Sequence, residues 1–351
     1  MNATEKLDLK SMTLPELQEL MADLGQPAFR AGQLFSWLHE KRAGSFDEMT
    51  NLPAALRREL AERCTLTRLT VLHELVSRLD GTRKYLYRLA DGNCIETVLM
   101  HYHHGTSLCI STQVGCRMGC NFCASTLGGL VRCLTPSEML EQVYETVRQA
   151  GERVDSLVLM GIGEPLDNYD NVIRFLRLLT DPKGYNLGQR HISLSTCGLV
   201  DRIYDLAKED LGITLSISLH APDNETRNRT MPVNRRWPIE ELMRACRDYF
   251  KTTGRRISFE YALIKGVNDS PEDARKLADL LDGMVCHVNL IPVNPVKERG
   301  YDRSGAADIH RFAETLGRLG VNATVRRELG GDIDAACGQL RRQYEKGEAL
   351  A

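Results

Sequence analysis

The sequence predicts an α/β protein whose main part is a partial, open barrel of six β/α units. A small helical region and a short β-rich region precede the barrel. Three observations lead to this prediction. Strands and helices alternate from residue 135 onward, short strand-like runs separated by turns occupy 70–112, and apolar residues recur at helical spacing within 14–64. About six units are too few for a closed eight-fold barrel, so we expect an open one.

The alternation of strands and helices is the strongest of these signals. Thr135 begins a capping box with a proline at the next position, which opens a helix that runs to about Ala150. The strand-like runs that follow are Ser156–Met160, His191–Ser195, Thr214–Ser218, Ile257–Leu263, His287–Ile291 and Asn322–Val325. The helical patterns between and after them cover 170–179, 200–209, 238–253, 271–282 and 306–319. Such spacing indicates right-handed βαβ units and therefore a parallel sheet.

The first third of the chain has a different organisation. Leu14, Leu17, Leu20 and Met21 repeat at helical spacing. Four β-rich runs come next, with Asp-Gly turn dipeptides in two of the gaps: Thr70–Ser77, Lys84–Leu89, Cys94–Met100 and Ser107–Thr112. We therefore expect a helical N-terminal accessory domain, a β-rich linker region and a core that carries the C-terminal cysteine segment, with bounds 1–65, 66–105 and 106–345.

Composition places the chain among globular proteins. Of its 351 residues, 42% are hydrophobic and 26% are charged, which is enough to bury a substantial core. No run approaches the roughly 18 apolar residues needed to cross a membrane, and the start lacks the order of a signal peptide. We expect a soluble, cytoplasmic protein. The net charge of −2 gives no overall basic field, although RNA binding needs only a local basic surface.

Three of the eleven cysteines lie within eight residues. Cys116, Cys120 and Cys123 have the spacing C-x3-C-x2-C, on a loop that follows a predicted strand. Three thiolates in one short loop can bind three irons of a 4Fe–4S cluster, leaving the fourth iron open to a substrate. A zinc site would require four ligands, commonly from two C-x2-C pairs, and no second pair is present.

The cysteine loop followed by β/α units resembles the radical S-adenosylmethionine (SAM) superfamily, and the wider pattern resembles the RlmN/Cfr family of RNA adenine methyltransferases. The motifs that carry the second resemblance are Ser107–Cys116, Cys123–Gly129, Met160–Asn168, Ser216–Pro222, Leu290–Pro295 and Gly331–Leu340. The superfamily resemblance implies that the open iron chelates SAM and that reduction cleaves SAM to a 5′-deoxyadenosyl radical.

The resemblance also implies a SAM pocket at the ends of the predicted strands, where active sites of β/α barrels lie. A carboxylate such as Glu164 can accept hydrogen bonds from an ammonium group, and the glycine before it permits close backbone approach. The implied pocket residues are Gly163, Glu164, Ser195, Ser218, Leu219, His220 and Asn294.

Three further residues match the catalytic positions of the family. Cys337 matches the methyl carrier, Cys109 the resolving thiol that forms a transient disulfide with Cys337, and Glu96 the proton acceptor. The resemblance implies two SAM molecules per turnover, because one methylates Cys337 and the other supplies the radical. From their patterns alone, Cys109 and Cys337 are typical of buried residues and Glu96 of a surface carboxylate on a half-buried strand.

The implied substrates are adenine 2503 of 23S rRNA and adenine 37 of tRNA, methylated at C2. Implied partners are these RNAs and an electron donor such as flavodoxin, and we expect a monomer. Candidate phosphate-binding residues, of which we expect about half to contact RNA, are Arg227, Arg229, Arg235, Arg236, Arg255, Arg256, Arg326, Arg327, Arg341 and Arg342. The alternatives are Cfr-like methylation of C8, a radical SAM activase or lyase, and a non-enzymatic Fe–S or zinc RNA-binding module.

Overall fold

The N-terminal region is helical. The computed structural model of the chain describes residues 6–296, 298–333, 338–345 and 347. Its first elements are strand β1 (Leu7–Asp8), helices α1 (Leu14–Asp23), α2 (Phe29–Phe35) and α3 (Ala54–Arg63), and strand β2 (Cys64–Thr65). The two short strands pair in parallel and bring the two ends of this region together. Thr13 caps α1 with a reciprocal capping box, as its sequence pattern favours.

An antiparallel meander follows the helical region. Its strands are β3 (Thr70–Val76), β4 (Arg83–Arg88), β5 (Cys94–Tyr102) and β6 (Gly105–Cys109). A separate two-stranded antiparallel ribbon comes next, made of β7 (Gln113–Gly115) and β8 (Leu130–Cys133). The sequence predicts one strand over Ser107–Thr112, and this is wrong at its end, because the chain leaves the sheet after Cys109.

The rest of the chain alternates between helices and parallel strands. The elements are α4 (Pro136–Ala150), β9 (Ser156–Leu159), α5 (Tyr169–Thr180), β10 (Ile192–Thr196), α6 (Val200–Leu206), β11 (Thr214–Ser218), α7 (Asn224–Thr230), α8 (Ile239–Thr253), β12 (Ile257–Leu263), α9 (Pro271–Leu281), β13 (Cys286–Pro292), α10 (Ala306–Arg318), β14 (Ala323–Val325) and α11 (Gln339–Glu345). Each predicted strand of this half is present to within about one residue at either end. Helix α7 is an addition that the sequence pattern did not indicate.

Ten strands form one open sheet. Their order is β14-β13-β12-β11-β10-β9-β6-β5-β4-β3. The strands from β6 to β14 are parallel, and β5, β4 and β3 extend the sheet in antiparallel pairing. Six β/α units lead up to β14, which lies at one edge while β3 lies at the other. The predicted partial barrel of six units is confirmed.

The helical N-terminal region shares its core with the barrel. One hydrophobic cluster runs from Leu17 in α1 through Tyr144 in α4 to the parallel strands. Lys10 is fully buried and forms an ion pair with the equally buried Glu141 of α4. His39 is also buried, with its Nδ1 3.0 Å from the Tyr144 hydroxyl. Polar groups buried in these pairs make the contact between the two regions specific as well as apolar.

Among the described residues, no helix is long and apolar enough to cross a membrane.

Candidate active site

The three clustered cysteines lie in the loop between β7 and β8. The ribbon closes this loop at its base, where the Cys116 N–H donates to the Gly129 carbonyl at 2.9 Å. Gly115 just before it has φ +79°, and a Cβ there would lie 2.0 Å from the same carbonyl oxygen. Only glycine therefore permits the ribbon to close at this point.

The cysteine loop is also fixed at its tip. The Asn121 N–H donates to the Thr230 carbonyl at 2.8 Å, and the Asn121 amide donates to the Arg229 carbonyl at 2.5 Å. The Thr126 hydroxyl donates to the carbonyls of Cys120 and Cys123, at 3.1 and 3.0 Å. Helix α7, absent from the sequence prediction, therefore holds the loop from one side.

The cysteine thiols line a cavity of about 220 Å³ at the carboxyl ends of the parallel strands. Seven of the other lining residues come from three separate strands or the segments that follow them: Gly163, Glu164, Ser195, Thr196, Cys197, Ser218 and His220. The structure thus brings together the three predicted iron ligands and five of the seven residues expected in the SAM pocket. Cys197, which has no assigned role from its pattern, lies on the same wall.

Glu164 is a buried carboxylate held by backbone amides. Its Oε2 accepts from the Cys197 N–H at 2.8 Å and its Oε1 from the Leu166 N–H at 3.1 Å. Burial raises the pKa of Glu164, and the amide hydrogen bonds oppose that shift. A carboxylate carries more acceptor sites than these two bonds use, so a cationic ligand in the cavity can still bind it.

The two glycines before Glu164 allow its loop to pack directly on the neighbouring strand. A Cβ on Gly161 would lie 2.5 Å from the Ile110 carbonyl oxygen. Gly163 has φ +111°, and its Cβ would lie 2.6 Å from Cβ of Gln113. The Gln113 side-chain oxygen accepts from the Glu164 N–H at 2.9 Å. The close approach therefore couples the Glu164 loop to β7 and the cysteine loop.

His220 is a neutral histidine in a positive-φ conformation. It has φ +53° and is 7% exposed, and the edge of its ring contacts Phe122 with 5.0 Å between ring centroids. Burial lowers its pKa to about 3, with a smaller contribution from the Arg227 charge. Its Nδ1 accepts from the Ala262 N–H at 2.9 Å, which assigns the ring proton to Nε2. His220 therefore acts in the cavity as a hydrogen-bonding group of fixed tautomer.

Two residues expected in the SAM pocket lie elsewhere. Leu219 is fully buried in the hydrophobic core, and its backbone carbonyl accepts from the Arg227 guanidinium. Asn294 is exposed and lines a second cavity of about 240 Å³. Cys109 also lines that second cavity and is 6% exposed. Both cavities include Met160, Ile291 and Arg326 in their walls, so they adjoin.

Glu96 is not the surface carboxylate that its strand pattern favours. It is 2% exposed, because β5 is covered on both faces over most of its length. Its Oε2 lies 3.2 Å from Nζ of the buried Lys84. Its carboxylate also accepts from the N–H groups of Gly338 and Arg341. Cys337 itself lies outside the described residues.

The structure contradicts one of the expected phosphate-binding arginines. Arg227 is fully buried and donates to the carbonyls of Cys197, Ser218 and Leu219 and to the side chain of Asn234. It cannot reach an RNA backbone, and its role is to tie the ends of two strands to the segment after α7.

Arg326 and Arg327 are exposed and line the cavity that contains Cys109. Of the remaining candidates, Arg229, Arg235, Arg236 and Arg256 are exposed, while Arg255, Arg341 and Arg342 are partly buried.

Glu260 is a cavity residue that sequence reasoning missed. It lies in the middle of β12, is 4% exposed, and accepts from the Asn289 amide at 2.7 Å and the Ser258 hydroxyl at 3.0 Å. Burial raises its pKa. The signal was available, since a lone acid within an apolar run in a parallel sheet covered on both faces is typical of a functional position.

The donor set of the cysteine loop suits an iron–sulfur cluster. Thiolates are the ligands of such clusters, and in a 4Fe–4S cluster each cysteine binds a different iron. The three thiols must therefore surround a cavity large enough for the cluster. Cys116 and Cys120 are buried, and burial raises the pKa of the Cys116 thiol to about 12 and that of Cys120 as well. Within the described ranges no three His, Cys, Asp or Glu side chains converge on one point to hold a single ion.

Comparison with known proteins identifies the class. A family model described as "Radical SAM superfamily" matches residues 110–280, and one described as "Ribosomal RNA large subunit methyltransferase N-terminal domain" matches residues 7–66. The crystal structure of a radical SAM methyltransferase from Sphaerobacter thermophilus is 47% identical, covers 95% of this chain and 98% of its own, and superposes with a TM-score of 0.91. The fold and the cysteine-lined cavity are those of a radical SAM methyltransferase, a class whose members use a 4Fe–4S cluster and SAM.

Two full-length relatives identify the family. One from Lachnospira eligens is 56% identical over 337 residues, which are 96% of each chain. One from Alkaliphilus oremlandii is 55% identical over 340 residues, covering 97% of this chain and 99% of the relative. Both are described as probable dual-specificity RNA methyltransferase RlmN. The chain belongs to the RlmN family of RNA methyltransferases.

Proposed function

We propose that this protein methylates C2 of an adenine in 23S rRNA and C2 of adenine 37 in tRNA. The observation that carries the proposal, together with family membership, is the pair of adjoining cavities. One is lined by the cysteine loop and Glu164, the other by Cys109 and three exposed arginines, and Met160 and Ile291 contribute to both walls. A base in the second cavity lies next to SAM in the first.

The proposed cofactor site uses the first cavity. Cys116, Cys120 and Cys123 bind three irons, and the amide-held carboxylate of Glu164 accepts from the SAM ammonium. The remaining proposed SAM-binding residues are Gly163, Ser195, Ser218, Leu219 and His220, together with Asn294, which lies at the wall of the adjoining cavity. Leu219 can contribute only through its backbone, because its side chain is fully buried in the core. When bound, the cluster supplies the electron that cleaves SAM, and two SAM molecules are used per turnover.

The chain's own thiols carry the methyl group. SAM first methylates Sγ of Cys337 and leaves as S-adenosylhomocysteine. The 5′-deoxyadenosyl radical from a second SAM would then take a hydrogen atom from that S-methyl group and become 5′-deoxyadenosine, and the resulting carbon radical would add to C2 of the adenine. The Glu96 carboxylate accepts the C2 proton, and the Cys109 thiolate attacks Sγ of Cys337, which forms the disulfide and breaks the bond between Sγ and the methylene carbon. A proton completes the new methyl group, and the one surplus electron would return to the oxidised cluster. An exposed adenine is required, so the base must leave its stack before it reacts.

RNA binding is proposed for the surface around the second cavity. Arg326 and Arg327 lie at its wall and supply positive charge for phosphates that flank the target base. Residues 1–65 are proposed to recognise RNA shape, 66–105 to link, and 106–345 to carry the chemistry. The proposed partners are 23S rRNA, tRNA and a flavodoxin-like electron donor, with the protein acting as a monomer.

The test is anaerobic turnover with methyl-deuterated SAM. Iron-reconstituted protein, reductant and either 23S rRNA or tRNA are incubated, and the RNA is digested to nucleosides for mass spectrometry against 2-methyl- and 8-methyladenosine standards. The expected product is 2-methyladenosine with two deuterium atoms in its new methyl group. 8-Methyladenosine would instead establish the Cfr-like reaction, and no product with a verified cluster would reject RNA methylation. Zinc without sulfide in the purified protein would favour a binding module.

A further inference from the structure

We propose that the β3–β5 part of the sheet is a docking platform that positions the C-terminal segment on both sides of residues 334–337. The platform residues are Ser77, Asp80, Lys84 and Glu96. They act as positioning residues for the methyl-carrying cysteine, and this inference rests on the proposed role of Cys337.

The upstream side of the segment is attached to the turn between β3 and β4. The Asp332 carboxylate accepts from the Ser77 hydroxyl at 2.6 Å and from the Arg78 N–H at 2.9 Å. In the opposite direction, the Asp80 carboxylate accepts from the Gly330 N–H at 2.8 Å. Three hydrogen bonds to carboxylates thus fix the chain at Gly330 and Asp332, two to four residues before residue 334.

The downstream side is attached to β4 and β5. The two oxygens of Glu96 accept from the N–H groups of Gly338, at 2.8 Å, and Arg341, at 2.7 Å. Lys84 lies 3.2 Å from the same carboxylate, and the two side chains are 0% and 1% exposed. A buried ion pair contributes little net stability, but it holds its two side chains in one arrangement. Here the Glu96 carboxylate held in this way also binds the first turn of α11.

The downstream attachment also faces the cysteine loop. Gly338 has φ +82°, and a Cβ there would lie 2.9 Å from the Ser125 hydroxyl and 3.1 Å from the Ser125 N–H nitrogen. Ser125 is two residues after Cys123. Leu340, two residues further on, is 2% exposed and packs in a small cluster with Leu86 of β4. Residue 338 therefore lies between the platform and the cysteine loop.

The platform and the proposed base share one carboxylate. Because both Glu96 oxygens bind the segment, a Glu96 variant would lose positioning and proton transfer together. The upstream contacts and Lys84 separate the two roles, since neither is assigned to proton transfer. The informative variants are the double substitution Ser77→Ala with Asp80→Asn, and Lys84→Met.

Hydrogen exchange measures the docking without any turnover. In the cluster-free protein, we expect amides within 328–345 to exchange about tenfold or more faster in both variants than in the wild type, because charge-assisted hydrogen bonds are lost. Glu74→Gln is the matched control. Glu74 lies on β3 and forms an ion pair with Arg83 of the neighbouring strand β4, 3.0 Å away. Its exchange should equal that of the wild type.

Methylation of Cys337 measures the consequence. Trypsin releases Glu328–Arg341, and its mass rises by one methyl group when Cys337 is methylated in a single turnover. We expect the rate to fall about tenfold in both variants at unchanged SAM affinity, and to recover in Ser77→Thr with native Asp80 and in Lys84→Arg. The platform would be overturned if amides within 328–345 of the variants exchanged at the wild-type rate. It would also be overturned if they exchanged faster while Cys337 was still methylated at the wild-type rate. A wild-type protein that never methylates Cys337 would instead overturn the proposed function, while the exchange data still test docking.

Discussion

Replacing Gly163 with alanine tests the packing of the Glu164 loop on β7. The new Cβ would lie 2.6 Å from Cβ and 2.8 Å from N of Gln113. Gln113 cannot retreat, because its N–H donates to the Ile162 carbonyl and its side chain bonds both the Glu164 N–H and the Asp167 carboxylate. The backbone at residue 163 must therefore move, and it carries Glu164 with it.

The expected cost combines two terms. An L-residue at φ +111° carries conformational strain of about 1–3 kcal/mol, and forced overpacking costs about 1–3 kcal/mol more. We expect Gly163→Ala to lower the free energy of unfolding by about 2–6 kcal/mol. Displacing the Glu164 carboxylate by about 1 Å should remove a charge-assisted hydrogen bond to SAM, which corresponds to at least a tenfold loss of affinity.

Urea unfolding of the cluster-free protein measures the first effect, and anaerobic calorimetric titration of the cluster-loaded protein with SAM measures the second. Gly128→Ala is the matched control in the cysteine loop. Gly128 does not have a positive φ, and a Cβ there meets no described atom within 4 Å. Its free energy of unfolding should change by no more than about 0.5 kcal/mol. If Gly163→Ala unfolds and binds SAM as the wild type does, the close approach is not required and the reasoning is wrong.

Three further predictions concern the thiols and a buried histidine. Cys337→Ala should abolish RNA methylation while iron and sulfide content stay at the wild-type level, and full turnover would exclude Cys337 as methyl carrier. Cys109→Ala should accumulate a protein–RNA adduct, seen as a slow band on a denaturing gel, whereas normal turnover without the band would exclude the resolving role. Burial, aided by the Lys10 charge, lowers the pKa of His39 to about 3 from an ordinary 6.5. Below pH 6.5 the unfolded chain therefore binds a proton at His39 that the folded chain does not bind. The stability contributed by the neutral folded His39 is complete above pH 6.5 and is lost as the pH falls. Between pH 6.5 and 5, the free energy of unfolding should fall by about 2 kcal/mol more in the wild type than in His39→Phe. Urea unfolding at several pH values measures this, and an equal fall in both proteins would contradict a buried neutral His39.

The parallel half of the sheet was predictable because short strand-like runs alternate regularly with helical patterns. Thr214–Ser218 and Ile257–Leu263 have the same bounds in the sequence prediction and in the structure. The ribbon of β7 and β8 was not predictable, since three or four residues are too few to show a period. Its formation depends on Gly115, whose positive φ is a property of the folded ribbon and does not follow from local spacing.

The site was predictable only where chemistry is local in sequence. The three proposed iron ligands lie within one loop, and their spacing alone indicates a cluster. Glu96 looks like a surface acid until both faces of its strand are known to be covered. Arg227 looks like a solvated cation, yet the ends of two strands and the segment after α7 converge on it and bury it. Where segments distant in sequence bury a residue, the hydrophobic periodicity around that residue does not reveal its burial.

The buried pair of Lys10 and Glu141 sets the order in which the chain can fold during synthesis. Lys10 leaves the ribosome about 130 residues before its partner, and an ammonium group cannot remain dry without a counter-charge. Burial lowers the pKa of Lys10 even with Glu141 in place. The first 65 residues therefore stay incompletely packed until α4 has emerged. The N-terminal region and the first β/α unit become one cooperative unit at that moment, although they lie far apart in sequence.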